Sequence, residues 1–277
     1  MRIALKDVTV RYDAGLPSAT TALSGVGLAI EQGECVAVIG PTGSGKTTLL
    51  EVMAGLATPT SGVATIESDG AARSLRDTVG LAYQFPESQF FEETVFADVA
   101  FGPARQGLAE SEIRIRVEEA LSRAGLAAGR FGGRTPLSLS AGEKRRAAIA
   151  GILALSRPFL LLDEPTAGLD PSTAERIGDL VRNEVRTGRG VVVVTHDLEF
   201  VEAVAARTVV IGRGAVLADR TTAGALSDAG LLEGLGLEPP PRYALMDRLR
   251  RLSHPEFDRI SLVLSVPHGA GDDREKP

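Results

Sequence analysis

Gly40-Pro41-Thr42-Gly43-Ser44-Gly45-Lys46-Thr47 fits the pattern G-x-x-x-x-G-K-[ST] at every fixed position. Glycines at these positions let successive backbone N–H groups turn inward on phosphate oxygens, and a helix starting at the end of the loop adds unpaired donors and a partial positive charge. Lys46 then supplies a full charge for the β- and γ-phosphates, and the Thr47 hydroxyl can ligate Mg²⁺. The flanks support this reading. Upstream, Cys35-Val36-Ala37-Val38-Ile39 is a continuous apolar run of the kind a strand buried on both faces requires. Downstream, Leu49, Leu50, Val52, Met53 and Leu56 follow helical spacing. Strand, loop and helix in that order predict a nucleotide site rather than a chance glycine-rich turn.

Two further apolar runs end in chemistry-bearing residues. Phe159-Leu160-Leu161-Leu162 leads into Asp163-Glu164-Pro165, and Val191-Val192-Val193-Val194 leads into Thr195-His196-Asp197. Ligands of open parallel α/β sheets bind beyond the carboxyl ends of the strands, so Asp163, Glu164 and His196 are expected on the same rim as Gly40. Between the phosphate loop and the acid pair the pattern changes. Val63 to Glu67 and Val79 to Tyr83 read as strands, but Gln84-Phe85-Pro86-Glu87-Ser88-Gln89-Phe90-Phe91 is too irregular for strand or helix. Residues 94–124 then carry a helical period, with Ile113, Val117, Ala120, Leu121 and Ala124 on one face.

Residues 125–136 hold four glycines and read as a loop before Ser138-Leu139-Ser140-Ala141-Gly142-Glu143, where Ser140 is suited to cap a helix with Glu143 in its first turn. Lys144, Arg145 and Arg146 are expected on the solvated face of that helix. Gly168-Leu169-Asp170-Pro171 is a turn before a helix striped by Ala174, Ile177, Val181 and Val185. At the start of the chain, residues 3–12 and 21–31 read as antiparallel strands about a Gly/Pro turn, with Tyr12 at the end of the first. Tyr12 is either an aromatic available to stack on a base or a tyrosine chosen for β propensity. Residues 209–211 and 215–217 read as a hairpin around Gly212-Arg213-Gly214. Beyond about residue 225, Pro239-Pro240-Pro241 breaks the chain, Leu245, Leu249 and Leu252 stripe a short helix, and residues 267–277 are polar and expected to be mobile.

The totals bound the alternatives. With 277 residues, 44% hydrophobic and 24% charged, the chain can bury a full core, and its net charge of −6 argues against a general nucleic-acid surface. Cys35, the single cysteine, falls in a predicted buried strand, which assigns it to packing and suits a reducing compartment. No window approaches the roughly 18 uninterrupted apolar residues of a spanning helix, and the first residues lack the apolar stretch of a signal peptide, so any membrane role is expected to require partners.

Loop lysine, post-strand glutamine, Ser-x-Gly before a helix, acid pair, Gly-Leu-Asp and strand-end histidine, in this order, resemble the ATP-binding cassette ATPases over about residues 1–225. The resemblance implies an α/β P-loop NTPase fold, with a mostly parallel central sheet, an N-terminal antiparallel β subdomain and a helical subdomain inserted at about residues 84–157; residues 226–277 would form a partly helical C-terminal extension. It implies ATP and Mg²⁺ as cofactors. Tyr12 would stack on adenine; Gly40, Pro41, Thr42, Gly43, Ser44, Gly45, Lys46, Thr47 and Thr48 would hold the phosphates; and Thr47, Gln84 and Asp163 would face the metal. Glu164 would be the general base, with His196, Gln84 and Lys46 as catalytic partners. Asp170 would lie in the loop between subunits, and Ser140, Ala141, Gly142 and Glu143 would form a signature that closes the other subunit's site. This signature departs from the usual Leu-Ser-Gly-Gly-Gln at Ala141 and Glu143 but keeps the Ser140 hydroxyl and the Gly142 N–H.

Tyr83 to Phe91, Thr94-Val95, Ala100-Phe101-Gly102-Pro103 and Glu143-Lys144-Arg145-Arg146-Ala147-Ala148-Ile149-Ala150-Gly151 resemble the energy-coupling factor transporter ATPases. That sub-type implies a peripheral protein at the cytoplasmic face of the cell membrane. It would pair with an identical or similar ATPase subunit, beneath a transmembrane coupling subunit and a membrane substrate-binding subunit, and power uptake of a vitamin or of cobalt or nickel. Glu87 would meet an arginine of the coupling subunit. A conventional cassette importer or exporter, and a soluble cassette protein of translation or DNA repair, remain the alternatives. The latter usually carries two cassettes in one chain.

Overall fold

A computed structural model describes residues 1–251, apart from 14, 17, 18, 71 and 86–88. The chain runs β1 (Arg2–Tyr12), β2 (Thr20–Glu31), β3 (Cys35–Ile39), α1 (Lys46–Met53), β4 (Ser61–Glu67), α2 (Leu75–Thr78), β5 (Val79–Ala82), α3 (Val95–Arg105), α4 (Glu110–Arg123), α5 (Ala128–Phe131) and a 3-10 turn at Pro136–Ser138. It continues with α6 (Ala141–Ala154), β6 (Phe159–Asp163), α7 (Pro171–Arg186), β7 (Gly190–Val194), α8 (Leu198–Val204), β8 (Arg207–Gly212), β9 (Ala215–Thr221), α9 (Thr222–Leu226), α10 (Ala229–Gly234) and α11 (Pro241–Arg251).

Two sheets result. β2, β1 and β4 form an antiparallel sheet in that order, and the second sheet has the order β5-β6-β7-β3-β8-β9, parallel except for the β8–β9 hairpin. Every residue of β3, β6 and β7 is buried, as their unbroken apolar sequences require of strands covered on both faces. Successive residues serve opposite sides. Ala37, Ile39, Leu160, Leu162, Val191 and Val193 join a core with the helices, whereas Val36, Val38, Leu161, Val192 and Val194 join a second core with α1, β1 and β2. α1 buries Leu49, Leu50, Val52 and Met53 in this second core, but Leu56 lies just past its end and is exposed, so the apolar stripe stops one turn earlier than its spacing suggests.

The helical stretch expected over residues 94–124 is two helices, α3 and α4, separated by a turn in which Gly107 takes φ +76°. Val117, Ala120 and Leu121 of α4 are buried as predicted, and α3 and α4 both pack on α6. An ion cluster ties this unit to the sheet: Glu184 of α7, 1% exposed, accepts from Arg123 of α4 at 3.0 Å and lies 3.3 Å from Arg189. After the hairpin, Leu232 is buried in the helix-side core, and Leu231, Leu235, Leu237 and Tyr243 pack against it. Arg242 pairs with Glu202 of α8 and donates to the Tyr243 hydroxyl at 2.8 Å. Leu245, in the stripe predicted for the last helix, is exposed, while Leu252 and residues 267–277 lie outside the described residues.

Candidate active site

The loop after β3 packs so closely on β8 and β2 that two of its glycines admit no side chain. A Cβ on Gly40 would stand 2.1 Å from the Ile211 carbonyl oxygen, and one on Gly45, at φ +100°, would stand 2.3 Å from that of Ala22. Inside this turn Lys46 Nζ donates to the carbonyls of Gly40 (2.7 Å) and Pro41 (2.9 Å), which burial makes available while pushing the ammonium pKa down. Ser44 Oγ is buried without a hydrogen-bond partner, a cost that an acceptor entering the loop would remove. Tyr12, 44% exposed, has its hydroxyl 3.3 Å from Thr48 Oγ1, so β1 delivers the aromatic ring to the start of α1.

β6 lies one strand from β3 across β7, and its end brings Asp163 to the loop: Thr47 Oγ1 donates to Asp163 Oδ2 at 3.0 Å. Burial pushes the Asp163 carboxyl pKa up, and the Thr47 bond opposes that shift. A hydroxyl and a carboxylate at this separation are hard oxygen ligands of the kind Mg²⁺ takes, so the residues fit that ion. Glu164 turns out of the strand at φ +45°, uncommon for a non-glycine residue, and is 9% exposed. Its N–H donates to Val194 (2.8 Å), its carboxylate accepts from Thr195 Oγ1 (3.1 Å), and His196 Nδ1 lies 3.0 Å from both carboxylate oxygens. The His196 side chain is 67% exposed. Lys46, Thr47, Asp163, Glu164 and His196 thus share one rim of the sheet.

Gln84 follows β5, two strands from β7, and its backbone is held from an unexpected direction. Arg145, placed by sequence on the solvated face of α6, is instead 7% exposed and donates to the carbonyls of Tyr83 (3.3 Å) and Gln84. Arg146 likewise turns inward, to the carbonyls of Ala124 (3.2 Å) and Gly125 (2.8 Å) at the end of α4. Carbonyls freed at a strand end and a helix end need donors, and guanidinium groups on α6 reach them across the fold.

Ser140 caps α6 and forms a capping box with Glu143: Ser140 Oγ accepts from Glu143 N, and Glu143 Oε2 accepts from Ser140 N at 2.8 Å. That backbone bond holds the Glu143 carboxyl below its ordinary range. Gly142 packs on Thr173, whose Cγ2 would be 2.8 Å from a Cβ there, and Thr173 Oγ1 donates to Asp170 Oδ2 at 2.7 Å. Among the described residues, no hydrogen bond joins residues 140–143 to residues 40–48 of the same chain. Pro86, Glu87 and Ser88 lie outside the described residues, so the expected Glu87 contact has no structural counterpart. Sequence reading gave Thr195 no role and put Arg145 on the solvated face. A threonine ending an all-valine run was the only available signal for the first.

A phosphate loop, a strand-end acid pair and a histidine on one rim of a mostly parallel sheet, with a helical insert between them, define a P-loop nucleotide hydrolase of the cassette type. The ABC transporter family profile matches residues 23–167. The energy-coupling factor transporter ATP-binding protein EcfA2 of Symbiobacterium thermophilum is 44% identical over 256 residues, 90% of this chain and 88% of the relative. Among solved structures, cbiO1 from Clostridium perfringens, part of the ABC transporter complex cbiONQ, superposes with TM-score 0.73 at 31% identity, covering 88% of this chain and 98% of that one. The ATP-binding cassette MJ0796, a dimer bound to ADP and phosphate, gives TM-score 0.70 at 32% identity over 79% of this chain and 98% of its own. The chain belongs to the ABC transporter family of ATPases, among the energy-coupling factor transporter ATP-binding proteins. Of the described residues, no helix is long and apolar enough to cross a membrane.

Proposed function

We propose that this chain is the ATP-hydrolysing subunit of an energy-coupling factor importer for a vitamin or for a cobalt or nickel ion, working peripherally at the cytoplasmic face of the membrane. The observation that carries the catalytic part is the placement of Glu164, a carboxylate fixed by Thr195 and His196 beside the Thr47 and Asp163 pair. ATP would seat its phosphates in the 40–47 loop, where Lys46 exchanges its carbonyl partners for phosphate oxygens and Ser44 Oγ gains a partner. Thr47, Asp163 and Gln84 would hold Mg²⁺, which when bound supplies charge neutralisation to the phosphates. Glu164 accepts the proton of the attacking water as the new oxygen–phosphorus bond forms; the γ-phosphoryl group departs from the β-phosphate oxygen, giving ADP and phosphate. His196, exposed toward the rim, is free to turn from Glu164 to the γ-phosphate.

The dimeric MJ0796 cassette supports a second ATPase subunit, whose signature would face this chain's phosphate loop. A transmembrane coupling subunit is supported by a cleft of about 530 Å³ lined by Tyr83, Gln89, Phe91, Phe101 and Leu155, beside the Gln84 loop. Phe91 and Phe101 stack edge to face at 4.6 Å yet stay 62% and 42% exposed, apolar surface suited to a partner helix. Purifying the intact membrane complex, identifying its subunits and following uptake of labelled vitamins, Co²⁺ and Ni²⁺ tests the assignment. A complex with a coupling subunit and a substrate-binding membrane subunit is expected; association with an extracellular-binding-protein system or with ribosomes would contradict it.

A further inference from the structure

Thr195 is wholly buried in a run otherwise made of valines, where a valine of the same shape would fit without a polar atom. Its hydroxyl both accepts and donates. Oγ1 accepts from the N–H of Asp197 at 3.0 Å, and its single proton is donated to Glu164 Oε2 at 3.1 Å. The bond comes from a fully buried donor, whereas the other neighbour of the carboxylate, His196, is 67% exposed. Asp197 anchors the donor in turn: its Oδ1 caps α8 by accepting from Phe200 N at 3.0 Å, and its Oδ2 lies 3.4 Å from Thr166 Oγ1. Strand β3 holds the Thr195 backbone, through the Thr195 N–H to the Val38 carbonyl at 3.4 Å.

We infer that Thr195 is a positioning residue for ATP hydrolysis: its hydroxyl fixes the orientation of the Glu164 carboxylate, so that the base meets the attacking water in one geometry. The inference rests on the reading of Glu164 as the base. A glutamate at φ +45° has a long side chain with several rotamers, and one buried hydrogen bond from a rigid β-branched residue selects among them. Because the bond touches neither the phosphate loop nor Tyr12, it should act on turnover and not on ATP capture.

The experiment compares Thr195→Val, Thr195→Ser and Glu164→Gln in the full-length chain, measuring ATP turnover, KM for ATP and equilibrium ATP binding. Thr195→Val is expected to lower kcat roughly 10- to 100-fold, a fraction of what a general base contributes, with KM and binding within about twofold of the parent. Thr195→Ser, which keeps the donor, should restore turnover. Thr195→Ala removes the same hydroxyl and is read in the same way if Thr195→Val does not fold. Turnover of Thr195→Val near the parent rate overturns the inference, as does an equal loss in Thr195→Ser, which would trace the effect to the buried methyl. Should Glu164→Gln hydrolyse ATP normally, the base lies elsewhere and the inference falls with that reading; an inactive Glu164→Gln beside a fully active Thr195→Val removes only the role of Thr195.

Discussion

Arg145, on the helix capped by Ser140, donates its guanidinium protons to the backbone carbonyl of Gln84, 61 residues earlier in the chain. Any shift of α6 is therefore felt directly at the loop that leaves β5 toward the apolar cleft. Arg145 is itself buried, 7% exposed, so its guanidinium has little access to water.

Replacing Arg145 with Met should leave the Tyr83 and Gln84 carbonyls short of a donor and cost about 1–3 kcal/mol of stability. Urea unfolding measures it. A midpoint unchanged from the parent would show that those carbonyls find other donors.

Glu143 has a second occupation that its charge alone did not suggest. The carboxylate is engaged with Ser140 N, and a glutamine can keep that capping bond while removing the charge. If this helix end faces the phosphates of a second subunit, Glu143→Gln should lower the ATP concentration for dimerisation by about two- to fivefold, the scale of one charge at a helix N-terminus. An unchanged or higher midpoint in a light-scattering titration would place the carboxylate away from nucleotide.

Asp170 accepts from Ser172 Oγ (2.7 Å) and from the hydroxyl and N–H of Thr173 (2.7 and 3.1 Å), and these bonds hold its carboxyl well below the ordinary 3.8. With the folded value the lower one, the unfolded chain binds the proton first, so the contribution is fully present above about pH 4 and disappears as pH falls through the folded value. Asp170→Asn should accordingly melt at a lower temperature than the parent at pH 7, with the gap beginning to narrow as pH falls below about 4. Melting curves from pH 7 to pH 2 decide it, and a gap that does not narrow toward the acid end would mean that packing, not charge, distinguishes the two.

Much of this architecture can be read before any coordinates. The runs at Cys35, Phe159 and Val191 are apolar without alternation, and each proves to be a strand buried on both faces. Ser140 and Glu143 stand at the spacing of a capping box, and the box is there. What escaped were groups whose partners are distant in sequence. Nothing local distinguishes Arg145 from a solvated arginine, because its burial depends on carbonyls in the loop after β5. Thr195 reads as one more β-branched residue until β6 brings Glu164 beside it. Gly107 reads as a tolerated glycine in a helical period, yet its left-handed backbone ends α3 and lets α4 start afresh.

The central claim is that Glu164 is the base of a site completed by a second subunit. Glu164→Gln preserves an oxygen to accept from Thr195 but lacks the basicity to take a proton from water. Light scattering of this variant with and without ATP, alongside phosphate release, is the direct measurement. The expected result is an ATP-dependent dimer that persists while phosphate release falls by roughly 10²-fold or more, the contribution of a general base. Phosphate release near the parent rate, or a mass that does not respond to ATP, would contradict the account.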